Sequence, residues 1–173
     1  LLNFVVGQII MSNDKKELLI TNIPARTLMK RDLLTYKLTT VRNFDFTPTG
    51  LALSEGGSKL YLSSKDKKSI FVLNGSTYEK EGEMSVLEVS DKLYLNKSKD
   101  KILALNRLMN LIFEVDPFTG ASVNQDAMKR GKIYYVLYEK DLALIFNDVF
   151  AQAPQEEIGG LDFTSYDPAK TMP

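Results

Sequence analysis

The sequence predicts an all-β fold, a β-propeller built from four repeats of about 42 residues, each a four-stranded antiparallel blade. Three observations lead there. Apolar runs recur in pairs: Ile9-Ile10-Met11 with Leu18-Leu19-Ile20, Leu51-Ala52-Leu53 with Leu60-Tyr61-Leu62, and Leu93-Tyr94-Leu95 with Ile102-Leu103-Ala104, each pair 42 residues after the last. The same step continues to Tyr135-Val136-Leu137 and Leu144-Ile145-Phe146. Next, a third run (Leu28-Met29, Ile70-Phe71, Ile112-Phe113) leads at the same period into Asp32-Leu33-Leu34-Thr35, Asn74-Gly75-Ser76-Thr77 and Asp116-Pro117-Phe118-Thr119. An Asp or Asn that heads a turn accepts a backbone N–H two residues on, so the recurring Asp/Asn-x-x-Thr marks a built turn. Finally, Gly- and Ser-bearing turns cut every run shorter than the roughly 10 residues a helical solenoid needs.

Within each unit the elements follow in order. The first and second strands form a hairpin closed by Asn13-Asp14-Lys15-Lys16, Glu55-Gly56-Gly57-Ser58-Lys59, Lys97-Ser98-Lys99-Asp100 and Glu139-Lys140-Asp141. The runs are rich in Ile, Leu, Val, Phe and Tyr, as strands require. The Asp/Asn-x-x-Thr turn joins the third strand to a more polar fourth, for example Lys80 to Val86.

Composition narrows the chemistry. At 173 residues the chain suits a single domain, residues 1–173, as a propeller or part of one. Lys plus Arg and Asp plus Glu both number 22, so no net field singles out nucleic acid or an anionic membrane. Cys, His and Trp are absent. Thiol nucleophiles, disulfides, zinc–thiolate sites and Ser-His-Asp arrangements are thereby excluded, and the compartment is left undetermined. No apolar run approaches the roughly 18 residues of a membrane-spanning helix.

The segment Thr49-Gly50-Leu51-Ala52-Leu53-Ser54-Glu55-Gly56-Gly57-Ser58-Lys59-Leu60-Tyr61-Leu62-Ser63 resembles the strand hairpin of the YVTN propeller repeat, and Ile112 to Gly120 resembles its later turn. Gly56 stands where that family has Asp, a place that Asp14 fills in the first unit, while Asn74 and Tyr78 replace the Asp and Gly of the turn in the second. The resemblance implies a propeller, while the absence of Trp and His counts against WD40 repeats and the absence of Trp against quinoprotein-type repeats.

The fourth unit departs after Asn147. Asp116 to Asp167 spans 51 residues, which places an insertion before Asp167-Pro168 if that is the turn of blade four. Otherwise Phe163 to Tyr166 opens a fifth blade. With the insertion, Asn3-Phe4-Val5-Val6 could supply the outer strand of blade four and leave no open edge. A ring of more blades would instead make the chain about half of one, with blade faces that a second copy or a completing chain covers.

Function falls to the loops. The connections between second and third strands and between blades share one face, and they bring Arg26, Lys65, Lys67, Lys68, Arg107, Lys129, Arg130 and Lys132 together. This set predicts a docking face for a protein partner or an anionic ligand, as against ordinary solvated charges. The Asp residues of the hairpins are read as turn formers, Glu156-Glu157 as a solvated loop, and Tyr134, Tyr135, Tyr138, Phe146 and Phe150 as blade core. Gly50, Gly57, Gly120 and Gly131 are read as turn residues with positive φ. The expected function is a non-catalytic binding scaffold with no catalytic residue, cofactor or metal. The alternative is a hydrolase resembling the propeller lactonases, with a central metal held by Glu, Asn and Asp. The apolar residues 9, 51, 93 and 135 at the starts of the inner strands oppose the alternative.

Overall fold

A computed structural model describes residues 3–95, 101–109, 111–127, 133–139 and 142–147, with backbone alone from 122 onward. Its first four strands, β1 (Val6–Met11), β2 (Glu17–Asn22), β3 (Thr27–Asp32) and β4 (Leu38–Asn43), form one antiparallel sheet in sequence order. The second sheet contains β5 (Pro48–Leu53), β6 (Lys59–Ser64), β7 (Ser69–Asn74) and β8 (Lys80–Ser85), and the third β9 (Lys92–Leu95), β10 (Ile102–Asn106), β11 (Leu111–Val115) and β12 (Ser122–Ala127). A hairpin, β13 (Ile133–Glu139) and β14 (Leu142–Asn147), stands as a separate two-stranded sheet. Three blades and a further hairpin are therefore described, and no closed ring appears among the described residues. The third and fourth strands expected for the last unit, and its insertion, lie outside them.

The repeat survives as register. Ile9 pairs with Ile20, Leu51 with Leu62, Leu93 with Ala104 and Tyr135 with Phe146, each pair displaced by one period. The expected outer-strand role of Asn3 to Val6 does not hold. Val6 pairs with Asn22 and Val5 accepts a hydrogen bond from Ile23 N at 3.1 Å, so this segment leads into the inner strand of blade one. Gly7 and Gln8, which follow directly in β1, are buried, as an inner strand requires and a solvated outer one does not.

Strands with apolar residues on both faces pack sheet against sheet. Leu19 and Leu28 of the first blade meet Leu51, Leu60, Leu62, Phe71 and Leu73 of the second. The opposite face of the second blade, with Ala52, Tyr61, Ile70 and Val72, packs on Leu93, Ile102, Ala104, Phe113 and Val115 of the third. The face of blade one that would meet a preceding blade is less covered. Ile9 is 45% and Met11 50% exposed, whereas Leu51, one repeat after Ile9, is 0% exposed.

The innermost strands β1, β5 and β9 splay too far apart for a continuous ladder between blades, so their buried polar groups need other partners. Gln8 supplies them. Its Oε1 accepts from Leu51 N and Leu93 N, both at 3.0 Å, and its Nε2 donates to Leu93 O at 2.9 Å. Thr21 Oγ1 donates to Thr49 O at 2.8 Å, Thr49 Oγ1 to Ser90 O at 2.7 Å, and Lys92 Nζ to Gly7 O. Close approach requires a missing side chain. A Cβ on Gly50 would lie 2.6 Å from Ser63 Oγ and 2.7 Å from Leu93 N. Gly50 is thus a contact glycine rather than the turn residue expected, while Gly57 and Gly120, at φ of 74° and 72°, do sit in left-handed turns. Gly131 lies outside the described residues.

The three Asp/Asn-x-x-Thr turns form as expected. Asp32 Oδ1 accepts from Leu34 N and Thr35 N at 2.9 and 2.6 Å, Asn74 Oδ1 from Ser76 N and Thr77 N at 2.9 and 3.0 Å, and Asp116 Oδ1 from Phe118 N and Thr119 N at 2.8 and 3.0 Å. The Thr119 N–H, the Lys101 ammonium at 3.0 Å and the Phe118 N–H together hold the Asp116 carboxyl at a pKa of about 2.

Two outcomes follow for stability. Replacing Gln8 with Ala leaves two buried N–H groups without an acceptor, each costing about 1–3 kcal/mol, so denaturant unfolding should show a loss of about 3 kcal/mol. A loss below about 0.5 kcal/mol would show that the inner strands do not depend on it. Because the folded pKa of Asp116 is depressed, its contribution is present above the unfolded value and lost as pH falls through about 2. The unfolding midpoint should therefore fall between about pH 4 and pH 2, and less steeply in Asp116→Asn, which retains the acceptor that Asn74 uses.

Candidate functional site

The antiparallel strand order puts the β2–β3, β6–β7 and β10–β11 connections at the same end as the links between blades. Backbone hydrogen bonds join them: Phe44 N to Arg26 O at 2.9 Å, Lys65 N to Thr47 O at 2.9 Å and Val86 N to Lys68 O at 3.0 Å. Arg26, Lys65, Lys67, Lys68 and Arg107 accordingly share one end of the molecule. Lys129, Arg130 and Lys132 lie outside the described residues.

Cations are only half of this surface. The links between blades carry acids that meet the cations of the neighbouring turns. Lys67 Nζ lies 2.9 Å from Asp45, Lys68 Nζ 2.7 Å from Glu88, and Arg107 Nε 3.8 Å from Asp91, whose carboxylate also accepts from Arg107 N at 2.8 Å. The Lys67 ammonium lowers the Asp45 carboxyl, and Lys68 together with the Val89 N–H lowers that of Glu88. Asp66 accepts from Thr47 N at 3.0 Å and from Ser64 Oγ at 2.6 Å, which fixes the turn to the preceding link. The five predicted cations among the described residues thus face four carboxylates, so they do not make a purely basic surface. The pairing acids stand some 16 to 22 residues from their partners, and no local pattern marks them.

Sequence reasoning also passed over apolar groups at this end. Leu108 is 94%, Met109 55% and Leu87 47% exposed. Asp45 and Lys67 become Leu87 and Met109 one repeat later. An ion pair at one blade corner is thus replaced by exposed hydrocarbon at the next.

The axis offers different chemistry. Gln8 has its amide committed to backbone groups, and Lys92 brings a cation whose pKa is lowered by burial and then by Arg107, with Asp91 opposing. This donor set does not fit a divalent ion. Among the described residues no three carboxylates lie close enough to hold a metal. No helix there is long and apolar enough to cross a membrane.

No family model matches the sequence, and no curated protein matches it. Solved structures do. The chain is similar to hydrazine synthase of Kuenenia stuttgartiensis with a TM-score of 0.62 at 19% identity, covering 74% of this chain and 37% of that one. It is similar to the WD40 repeats of RRP9 with a TM-score of 0.63 at 7% identity, covering 84% of this chain and 52% of that one. The chain spans about half or less of the length of these structures. At such identities the likeness shows the fold alone, a β-propeller-like arrangement of blades.

Proposed function

We propose that the chain is a non-catalytic propeller scaffold, with repeats of the YVTN type, that docks a protein partner through its loop end. The observation that carries this reading is the exposed apolar set Leu87, Leu108 and Met109, flanked by the Lys68–Glu88 and Arg107–Asp91 pairs. Apolar anchors within a polar rim are the anatomy of a protein interface. The mixture of cations and carboxylates at this end favours a protein of mixed charge over a free anion.

The test is differential capture from a cell extract, quantified by mass spectrometry. Leu108→Glu with Met109→Glu should lose partners that the unmodified chain retains. The control, Leu34→Glu with Phe118→Glu, alters side chains that are 88% and 86% exposed in the β3–β4 and β11–β12 turns at the opposite end, and it should retain them. Equal retention by both variants, or equal loss, would remove the loop end from the function.

Ring completion is a second part of the proposal. The exposed Ile9 and Met11 occupy positions that another blade covers in the second repeat, so blade one presents a face suited to a further blade. Light scattering across concentrations separates the cases. A constant mass of 19.5 kDa supports closure within one chain. Concentration-dependent association, abolished by Met11→Lys without a lower Tm, assigns that face to a second copy.

A further inference from the structure

A repeat protein contains its own control, because the same structural position is filled more than once. The boundary between blades one and two holds a cleft of about 170 Å³, whereas the residues one repeat later build a different boundary. Its apolar wall is a run of rings. Phe46 stacks on Phe71 with centroids 4.0 Å apart at 9°, and Phe44, only partly buried, tilts against Phe46 at 4.9 Å. Lys67 lies 5.2 Å from the Phe46 ring and Lys80 4.9 Å from that of Phe71.

The charges of the cleft are not equivalent. Lys67 is tied to Asp45 at 2.9 Å and Lys80 to Glu83 at 2.7 Å, with all four residues lining the cleft. Arg42 also lines it, but its partner Glu79 does not. That carboxylate is 73% exposed and touches Arg42 through Nη1 alone, at 2.8 Å. A guanidinium fork can bind a carboxylate through two parallel hydrogen bonds, and a single contact to an exposed side chain leaves that capacity largely unused. The lining thus carries one unbalanced positive charge beside a partly exposed ring.

One repeat later Arg42, Phe44, Phe46 and Lys67 become Met84, Val86, Glu88 and Met109. Met84 and Val86 pack into the core between blades two and three, so hydrocarbon is sufficient to close such a boundary. An exposed ion pair adds little to stability, and packing therefore does not account for a guanidinium at this place.

We infer that the cleft between blades one and two binds a monoanionic carboxylate with an apolar, preferably aromatic, body. The carboxylate takes the Arg42 fork in exchange for Glu79, and the body lies against Phe44. Such a group occurs both as a free small acid and as the C-terminus of a peptide. The inference does not depend on the partner surface at Leu108 and Met109.

The probe is 3-phenylpropionate, followed by protein NMR up to about 10 mM, with 3-phenylpropanamide as its uncharged analogue. Saturable shifts are expected at the Arg42 guanidinium and the amides of residues 43–46, with a Kd of about 1 mM for so small a ligand. The amide should bind at least about tenfold more weakly, as should the acid to Arg42→Gln or Phe44→Ala. Glu79→Gln, at an exposed position that the fold does not need, should bind the acid a few-fold more tightly by releasing the fork. A peptide ending in Phe distinguishes the sources. Binding about tenfold tighter than 3-phenylpropionate indicates a peptide terminus, and equal binding a small acid. No saturable shift, equal binding of acid and amide, or no change in both Arg42→Gln and Glu79→Gln overturns the inference. Leu108→Glu with Met109→Glu should leave this binding intact, so the cleft and the proposed partner surface can fail separately.

Discussion

The side-chain amide of Gln8 is the contact on which the arrangement of blades depends. Sheets that radiate from an axis cannot share a hydrogen-bond ladder where their inner strands diverge, and the N–H groups there are buried from water. One carbonyl oxygen that accepts from both Leu51 and Leu93, with one amide nitrogen that returns a bond to Leu93, ties three consecutive inner strands together. Gly50 makes this possible by letting Leu93 N approach to a distance that any side chain would block. The apolar contacts then follow. With the inner strands fixed, Leu19 and Leu28 meet the second blade and Ala52 and Tyr61 meet the third, and burial of these faces supplies the main driving force.

At the loop end a second set of bonds works at a larger radius. Lys67–Asp45, Lys68–Glu88 and Arg107–Asp91 each join a turn within a blade to a link between blades, Lys67 and Arg107 to the link that enters their blade and Lys68 to the link that leaves it. Pairs this exposed contribute on the order of 0–1 kcal/mol, less than a single buried Leu. Their effect is on geometry more than on stability. Each restrains a corner of the loop surface, and the neutralised corners leave Leu108 and Met109 as the distinctive groups there.

The scaffold was legible because its causes are local or periodic. Strand runs, hairpins and the Asp/Asn-x-x-Thr turns are written in adjacent residues, and the constant step of the repeat sets their order. Gln8 was not legible. It stands where later repeats have Gly50 and Lys92, and its role comes from convergence of three strands rather than from any pattern beside it. Gly50 was misread for the same reason, since closeness of another blade, not its own φ, requires it. Tyr36 and Tyr78 take φ of 59° and 60° at the repeat position where Gly120 sits, so turn geometry had overridden residue preference. The candidate face was legible as a location but not as a charge, because most of the acids that balance it arrive from the links between blades, some 16 to 22 residues away.

The same distinction between local and long-range causes indicates where other molecules can engage the chain. At the axis, the described polar groups are largely spent on each other: the Gln8 amide on backbone, the Thr21 and Thr49 hydroxyls on carbonyls, and Lys92 on Gly7 O. A ligand there would have to break bonds that hold the blades in place, and each broken buried bond opposes binding. Blade boundaries and loop corners carry no such obligation. The replacement of Arg42 by Met84 and of Lys67 by Met109 between successive repeats shows that the scaffold accepts charge or hydrocarbon at these places. The boundaries can vary while the axis stays fixed, and so the propeller-like fold can keep its frame while its surfaces differ from blade to blade.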